Sequence, residues 1–307
     1  CTCRSSSWVR WFKENCLLDL FTSLFEQQQP LYLGTLFVLG AVVGSFLNVV
    51  IYRLPVMMQR EWRHDCLEFL EQPQAAEPEI FNLSTPRSRC GNCGHQITAL
   101  ENIPIISYLV LGGKCSECKV GISLQYPLVE LFTALLSVIV GWHFGVSLQA
   151  LAALFLTWCL IAASGIDIGH KLLPDTITLP LLWLGILLSL FNVFVGLETS
   201  VIGVMAGYLS LWTVFMMFKI VTGKEGMGYG DFKLLAMLGA WLGWKPLFVV
   251  ILTSSAVGAA VGITLIILKK TERSTQIPFG PYLAAAGWLT LMWGDELMRF
   301  YNSLFGL

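Results

Sequence analysis

The sequence predicts an all-α polytopic membrane protein of about eight transmembrane helices, with one large polar loop between helices 1 and 2. Three observations predict it. Hydrophobic residues make up 55% of the chain and charged residues only 13%, against roughly a quarter charged in a soluble domain. Mean hydropathy is +0.69. The apolar residues also fall in runs near the roughly 20 residues a helix needs to cross about 30 Å of hydrocarbon. A soluble protein of 307 residues with so few charges could not cover its surface, so lipid is the solvent for much of it. A net charge of −1 gives no reason to expect a nucleic-acid partner, and the basic residues read as topology signals.

Taken in order, residues 1–30 are an N-terminal segment. The chain opens on Cys1, and residues 1–16 have neither the apolar run nor the cleavage site of a signal peptide. They read as a remnant of upstream sequence and carry no assigned function. Residues 17–25 have helical spacing suited to the membrane interface. The first span is residues 31–51, and residues 52–125 form the polar loop domain. Residues 126–307 are the helical membrane core, with apolar runs at 126–144, 148–165, 176–195, 201–220, 232–242, 247–268 and 277–293. The run at 232–242 is short for a span. There is no repeat of solenoid type.

Lysine and arginine set the orientation, since short loops rich in them stay inside. With the amino terminus outside, the inside loops collect Arg53, Arg60, Arg63, Arg87, Arg89, Lys114, Lys119, Lys171, Lys219, Lys224, Lys233, Lys269, Lys270 and Arg273. Those are 14 of the 19 basic residues. A seven-span topology spoils this asymmetry, so eight spans are preferred. Residues 52–125 and the loops holding Asp167–Asp175 and Lys219–Asp231 then face the cytoplasm.

The loop domain contains CGNC at residues 90–93 and CSEC at 115–118, separated by 21 residues. Each pair presents two thiolates on a tight turn, and four complete a tetrahedron around Zn²⁺. Cys90, Cys93, Cys115 and Cys118 are therefore candidate ligands of one structural zinc in a zinc-ribbon-like loop. A pair of disulfides is the alternative, which a reducing cytoplasm opposes. A closed tetrathiolate site has no open position for substrate. His95 is an alternative ligand, more simply read as a solvated loop residue. Cys66 and Cys159 lack partners at motif spacing and read as buried small residues; His143 reads as interfacial.

Acidic residues are few between the spans, and ionisable groups at membrane depth are costly and usually functional. Asp167 ends an apolar run within GIDIGH at residues 165–170. The helix macrodipole opposes a carboxylate at a helix C-terminus, so capping does not explain it. Asp231 closes GMGYGD at residues 226–231, where glycines permit close backbone approach. Two carboxylates brought together share one proton. One can then act as base toward water while the other donates a hydrogen bond to a scissile carbonyl. Other readings stay open: Asp231 as a helix cap or as an ion-pair partner of Lys233, Asp175 as an N-cap, and His170 and Lys171 as loop polar groups or orienters of Asp167.

With these motifs assembled, the chain resembles the prepilin peptidases, or type IV leader peptidases, of bacterial type IV pilus and type II secretion systems. The resemblance is carried by GSFLNVVIYRLP at residues 44–55, by the CxxC pairs with ENIPIIS at 101–107, by DIGHKLLPD at 167–175, by GMGYGD at 226–231, and by PFGP at 278–281. It implies an inner-membrane aspartic endopeptidase of the GxGD type that removes the basic leader of prepilins and pseudopilins at the cytoplasmic face. Its catalytic pair falls on Asp167 and Asp231. The resemblance also implies that a cysteine-bearing loop goes with methylation of the new N-terminal residue by S-adenosylmethionine. No residue is assigned to that methyl donor. The expected partners are such substrates and membrane lipid, with the acidic Glu61, Asp65, Glu68 and Glu71 available to attract a basic leader. The rivals are a proton-coupled carrier, whose substrate site would be expected nearer the midplane, a non-enzymatic adaptor recruiting partners through the zinc loop, and another GxGD protease acting on unrelated helices, against which the CxxC loop and residues 44–55 favour prepilins.

Overall fold

The computed structural model describes residues 28–72, 81–224, 226–268 and 278–305. The expectations for residues 1–16 and 17–25, and the loop holding Lys269, Lys270 and Arg273, lie outside those residues. Among the described residues the chain is helical, with no strand beyond two isolated bridges. The helices are α1 (Gln29–Phe69), α2 (Ile106–Val110), α3 (Gln125–Phe144), α4 (Leu148–His170), α5 (Asp175–Leu190), α6 (Leu197–Thr222), α7 (Tyr229–Leu242), α8 (Leu247–Ile267) and α9 (Gly280–Phe305). Apart from the short α2, they fall at the eight apolar runs. Five of them, α1, α3, α4, α6 and α8, are long and apolar enough to cross a membrane, which fits a multi-pass protein.

Helix α1 differs from expectation in length. It has 41 residues, about 60 Å at 1.5 Å per residue, and so runs well past residue 51. Pro55 lies inside it and removes one backbone donor, but the following residues are mostly good helix formers with no glycine to stop them. Glu61, Asp65 and Glu68 therefore sit on a helix, where His64 lies 3.8 Å from Glu68. Cys66, expected to be buried, is exposed there, and Cys159 is half-buried in α4.

The chain divides into two compact units, residues 1–45 with 98–155, and residues 46–97 with 156–307. In the first, α3 packs on the amino-terminal half of α1 through small residues. A Cβ on Gly40 would meet Ala134 and Ser137 at under 3 Å, at 2.8 and 2.7 Å. The Tyr32 hydroxyl donates to the Gly145 carbonyl at 2.8 Å where α3 ends.

The second unit is built around α7. This helix has only 14 residues, and residues Phe232 and Leu234 to Leu242 are all buried. A helix apolar all round belongs in the middle of a bundle, and α7 packs against α5, α6, α8 and α9. Gly203 of α6 and Gly239 of α7 face each other so closely that a Cβ on either would collide with the other's carbonyl. This is how membrane helices without a hydrophobic driving force between them gain contact, by bringing backbones together at small residues. Two directed bonds fix the register: Ser200 Oγ donates to Ala240 O at 2.8 Å, and Trp241 Nε1 donates to Leu181 O at 2.9 Å. Trp288 Nε1 donates to Thr157 Oγ1 at 2.9 Å and holds α9 on α4. In the same unit the buried Arg53 holds the segment ahead of the first cysteine pair, donating to Asn82 O at 2.9 Å and Pro86 O at 2.6 Å.

Candidate active site

Asp167 lies in the last turn of α4 and is 5% exposed. The helix ends just beyond it, where Lys171 adopts a left-handed φ of 55° and donates its N–H to the Asp167 carbonyl at 2.8 Å. The side chain is held from α9. Gly280, the first residue of that helix, donates its backbone N–H to Asp167 Oδ2 at 3.0 Å. First-turn N–H groups have no partner within their own helix, so this donor is available. Its closeness requires glycine: a Cβ on Gly280 would stand 2.6 Å from Asp167 Oδ2.

Asp231 lies in the first turn of α7 and is 7% exposed. The capping position is taken by Gly228, so the reading of Asp231 as the cap residue does not hold. It sits three residues further in, where the positive end of the helix favours a carboxylate. Two relationships bring Asp167 and Asp231 to one end of the bundle. Leu173 packs on both Gly230, next to Asp231, and Gly280, the partner of Asp167. Lys233 Nζ meets Asp175 Oδ2 at 2.6 Å, joining the N-terminal parts of α7 and α5.

That ion pair revises two expectations. Lys233 pairs with Asp175 and not with Asp231. Asp175 is not the N-cap of α5: Pro174 occupies that position, without a side-chain cap. Two buried carboxylates at one end of a bundle disfavour ionising together, which leaves one as an acid and one as a base toward water.

The cysteines form two knuckles of matching construction. In one, Cys90 N–H donates to His95 O at 2.8 Å, Gly94 N–H donates to Cys90 O at 3.0 Å, and Arg89 bridges to Gln96. In the other, Cys115 N–H donates to Val120 O at 2.9 Å, Lys119 N–H to Cys115 O at 3.2 Å, and Lys114 bridges to Gly121. The residue after each second cysteine is left-handed, with φ 74° at Gly94 and 59° at Lys119. The four Sγ atoms lie within 4.8 Å of one another, and His95 is not among that group. Thiolates on Zn²⁺ at about 2.3 Å in a tetrahedron stand about 3.8 Å apart, so the donor set fits a metal ion.

Two contributors were not foreseen. The Gly280 N–H is a backbone group, and the only signal for it was a glycine between prolines in PFGP. The Asp175–Lys233 pair spans 58 residues, and its signal was two opposite charges, each close to a singled-out aspartate.

Residues 38–144 match the family model described as the bacterial Peptidase A24 N-terminal domain. Residues 154–263 match that of the type IV leader peptidase family. A protein of Stutzerimonas stutzeri named prepilin leader peptidase/N-methyltransferase is 59% identical, over 86% of this chain and 91% of the relative. Proteins of the same name from Pseudomonas aeruginosa and Aeromonas salmonicida are 56% and 54% identical, over 87% and 89% of this chain and 92% and 94% of the relatives. No solved structure matches the chain. Identity at this level over nearly the full length of the relatives shows that the chain belongs to the type IV leader peptidase family.

Proposed function

We propose that the chain is an inner-membrane aspartic endopeptidase that removes the basic leader of prepilins and pseudopilins, and that it also methylates the new amino terminus. The observation that supports this most is the meeting of Asp167 and Asp231 at one end of the bundle, each buried and each beside glycine backbone. The ionised member of the pair takes a proton from water as the water oxygen adds to the scissile carbonyl. The protonated member gives its hydrogen to the carbonyl oxygen. Collapse of the tetrahedral species breaks the C–N bond, and the departing nitrogen takes a proton from the pair. No acyl-enzyme forms.

The same end of the bundle carries Lys171, Lys219, Lys224 and Lys233 around the termini of α4, α6 and α7. The excess of basic residues supports a cytoplasmic location for it. A substrate with a charged leader ahead of a long apolar helix presents its scissile bond at that boundary.

Residues 52–125 form the methyltransferase-associated loop domain on this reading, with residues 126–307 the peptidase core. Cys90, Cys93, Cys115 and Cys118 would hold one Zn²⁺, which stabilises the loop and leaves no open coordination position. S-adenosylmethionine supplies an electrophilic methyl group to the free amine exposed by cleavage. The test is reconstitution of the full chain in lipid vesicles with a purified prepilin and labelled S-adenosylmethionine. Release of the leader and label on the mature pilin are expected; intact prepilin after prolonged incubation contradicts the peptidase reading, and cleaved but unlabelled pilin contradicts the transferase reading.

A further inference from the structure

Glu130 is a buried carboxylate that the peptidase chemistry does not use. It lies in α3, among the residues of a membrane-crossing helix, and is 8% exposed. An ionisable side chain at that depth is costly and calls for a specific partner. Its Oε2 accepts the backbone N–H of Ile105 at 2.8 Å, across 25 residues. Its backbone is fixed from the other side: a Cβ on Gly44 of α1 would stand 2.7 Å from the Glu130 Cα. The carboxylate is thus an anchor set into two packed helices.

What it holds is strained. Ile105 has φ 61° and ψ −49°. A β-branched residue at positive φ is an outlier, and such conformations persist only where their surroundings impose them. Ile105 also immediately precedes α2. Tyr108 of α2 lies against Gly113, where a Cβ would meet its hydroxyl at 2.8 Å. Ile122 N–H donates to Gly113 O at 2.7 Å, closing the segment that contains Cys115 and Cys118. A continuous path therefore runs from Glu130 through Ile105, α2 and Gly113 to the second cysteine knuckle.

The geometry points to Glu130 as a positioning residue for this loop: its hydrogen bond to the strained Ile105 sets where the second knuckle stands, and so supports methyl transfer and not peptide cleavage. This rests on the transferase reading given above.

The experiment uses the full chain in vesicles, with a purified prepilin and tritium-labelled S-adenosylmethionine, and reads the ratio of methyl label to leader released. Glu130→Ala is expected to lower that ratio by about tenfold or more, the effect of losing one buried hydrogen bond, with leader release within about twofold of the parent. Glu130→Gln keeps an acceptor oxygen and is expected to stay within about threefold of the parent. Ile105→Gly placed on Glu130→Ala is expected to recover much of the loss, because glycine adopts φ 61° without strain. Hydrogen exchange of the amides of residues 105–122 is read in parallel, and faster exchange in Glu130→Ala than in parent or Glu130→Gln is expected. An unchanged ratio and unchanged exchange in Glu130→Ala overturn the proposal. So does a double variant no better than Glu130→Ala alone. A parent that cleaves without labelling defeats the transferase reading, and exchange at Ile105 then still decides whether Glu130 positions the loop.

Discussion

Gly280 at the start of α9 donates its backbone N–H to Asp167 at the end of α4, at 3.0 Å and across 113 residues of chain. The carboxylate is thereby oriented by a main-chain group that only proline would delete but that an added Cβ can displace. A methyl at position 280 would stand 2.6 Å from Asp167 Oδ2 and 3.1 Å from Leu173. Gly280→Ala should therefore lower leader cleavage by up to about a hundredfold, the scale of an ångström-sized misplacement at a reacting group. The Trp288–Thr157 hydrogen bond still holds α9, so the melting temperature should change little. Kinetics and thermal melting of the purified variant check both halves.

The Asp175–Lys233 pair ties the start of α5 to the N-terminal part of α7, with side chains 51% and 32% exposed. At such exposure the pair contributes less than about 1 kcal/mol to stability. Asp175→Asn and Lys233→Met should each lower cleavage by less than about tenfold, and the double variant should be no worse than either. Rates for the three variants give the coupling; losses that multiply in the double would show two separate roles.

Gly203 and Gly239 meet backbone to backbone where α6 crosses the buried α7. Gly203→Leu forces these helices apart and should destabilise the protein by about 1–3 kcal/mol or more. The 11 tryptophans make intrinsic fluorescence a direct reporter of thermal unfolding in detergent. A melting curve matching the parent would contradict the packing described.

Cys115 is 7% exposed and belongs to the four-thiol group. Replacing Cys115 and Cys118 with serine should reduce bound zinc to below about a tenth of an equivalent per chain. Leader cleavage should persist within about threefold, because Asp167, Asp231, Leu173 and Gly280 are all supplied by residues 156–307. Metal analysis alongside the cleavage assay decides it.

Much of the molecule was legible from residue types alone. The apolar runs placed the helices, and the cost of burying a carboxylate singled out Asp167 and Asp231. The cysteine spacing picked out a group that the fold does bring together. What was not legible has physical reasons. The run at 232–242 looked short for a span because length was judged against lipid, whereas α7 is enclosed by protein on every side. Helix α1 overran its apolar stretch because polar residues such as Gln59, Arg60 and Glu61 favour helix as well as water. The Gly280 donor is main chain and leaves no trace in side-chain chemistry. Glu130 was not singled out, since its partner is a backbone N–H 25 residues away.

The central claim is that Asp167 and Asp231 work as one unit on a water molecule. The most direct test measures leader release from a purified prepilin by the parent, by Asp167→Asn, by Asp231→Asn and by the double variant, in the same vesicles. Each single variant should fall to the uncatalysed background and the double should be no lower, since groups acting together are not additive. Leader release at the parental rate by either single variant would contradict the account.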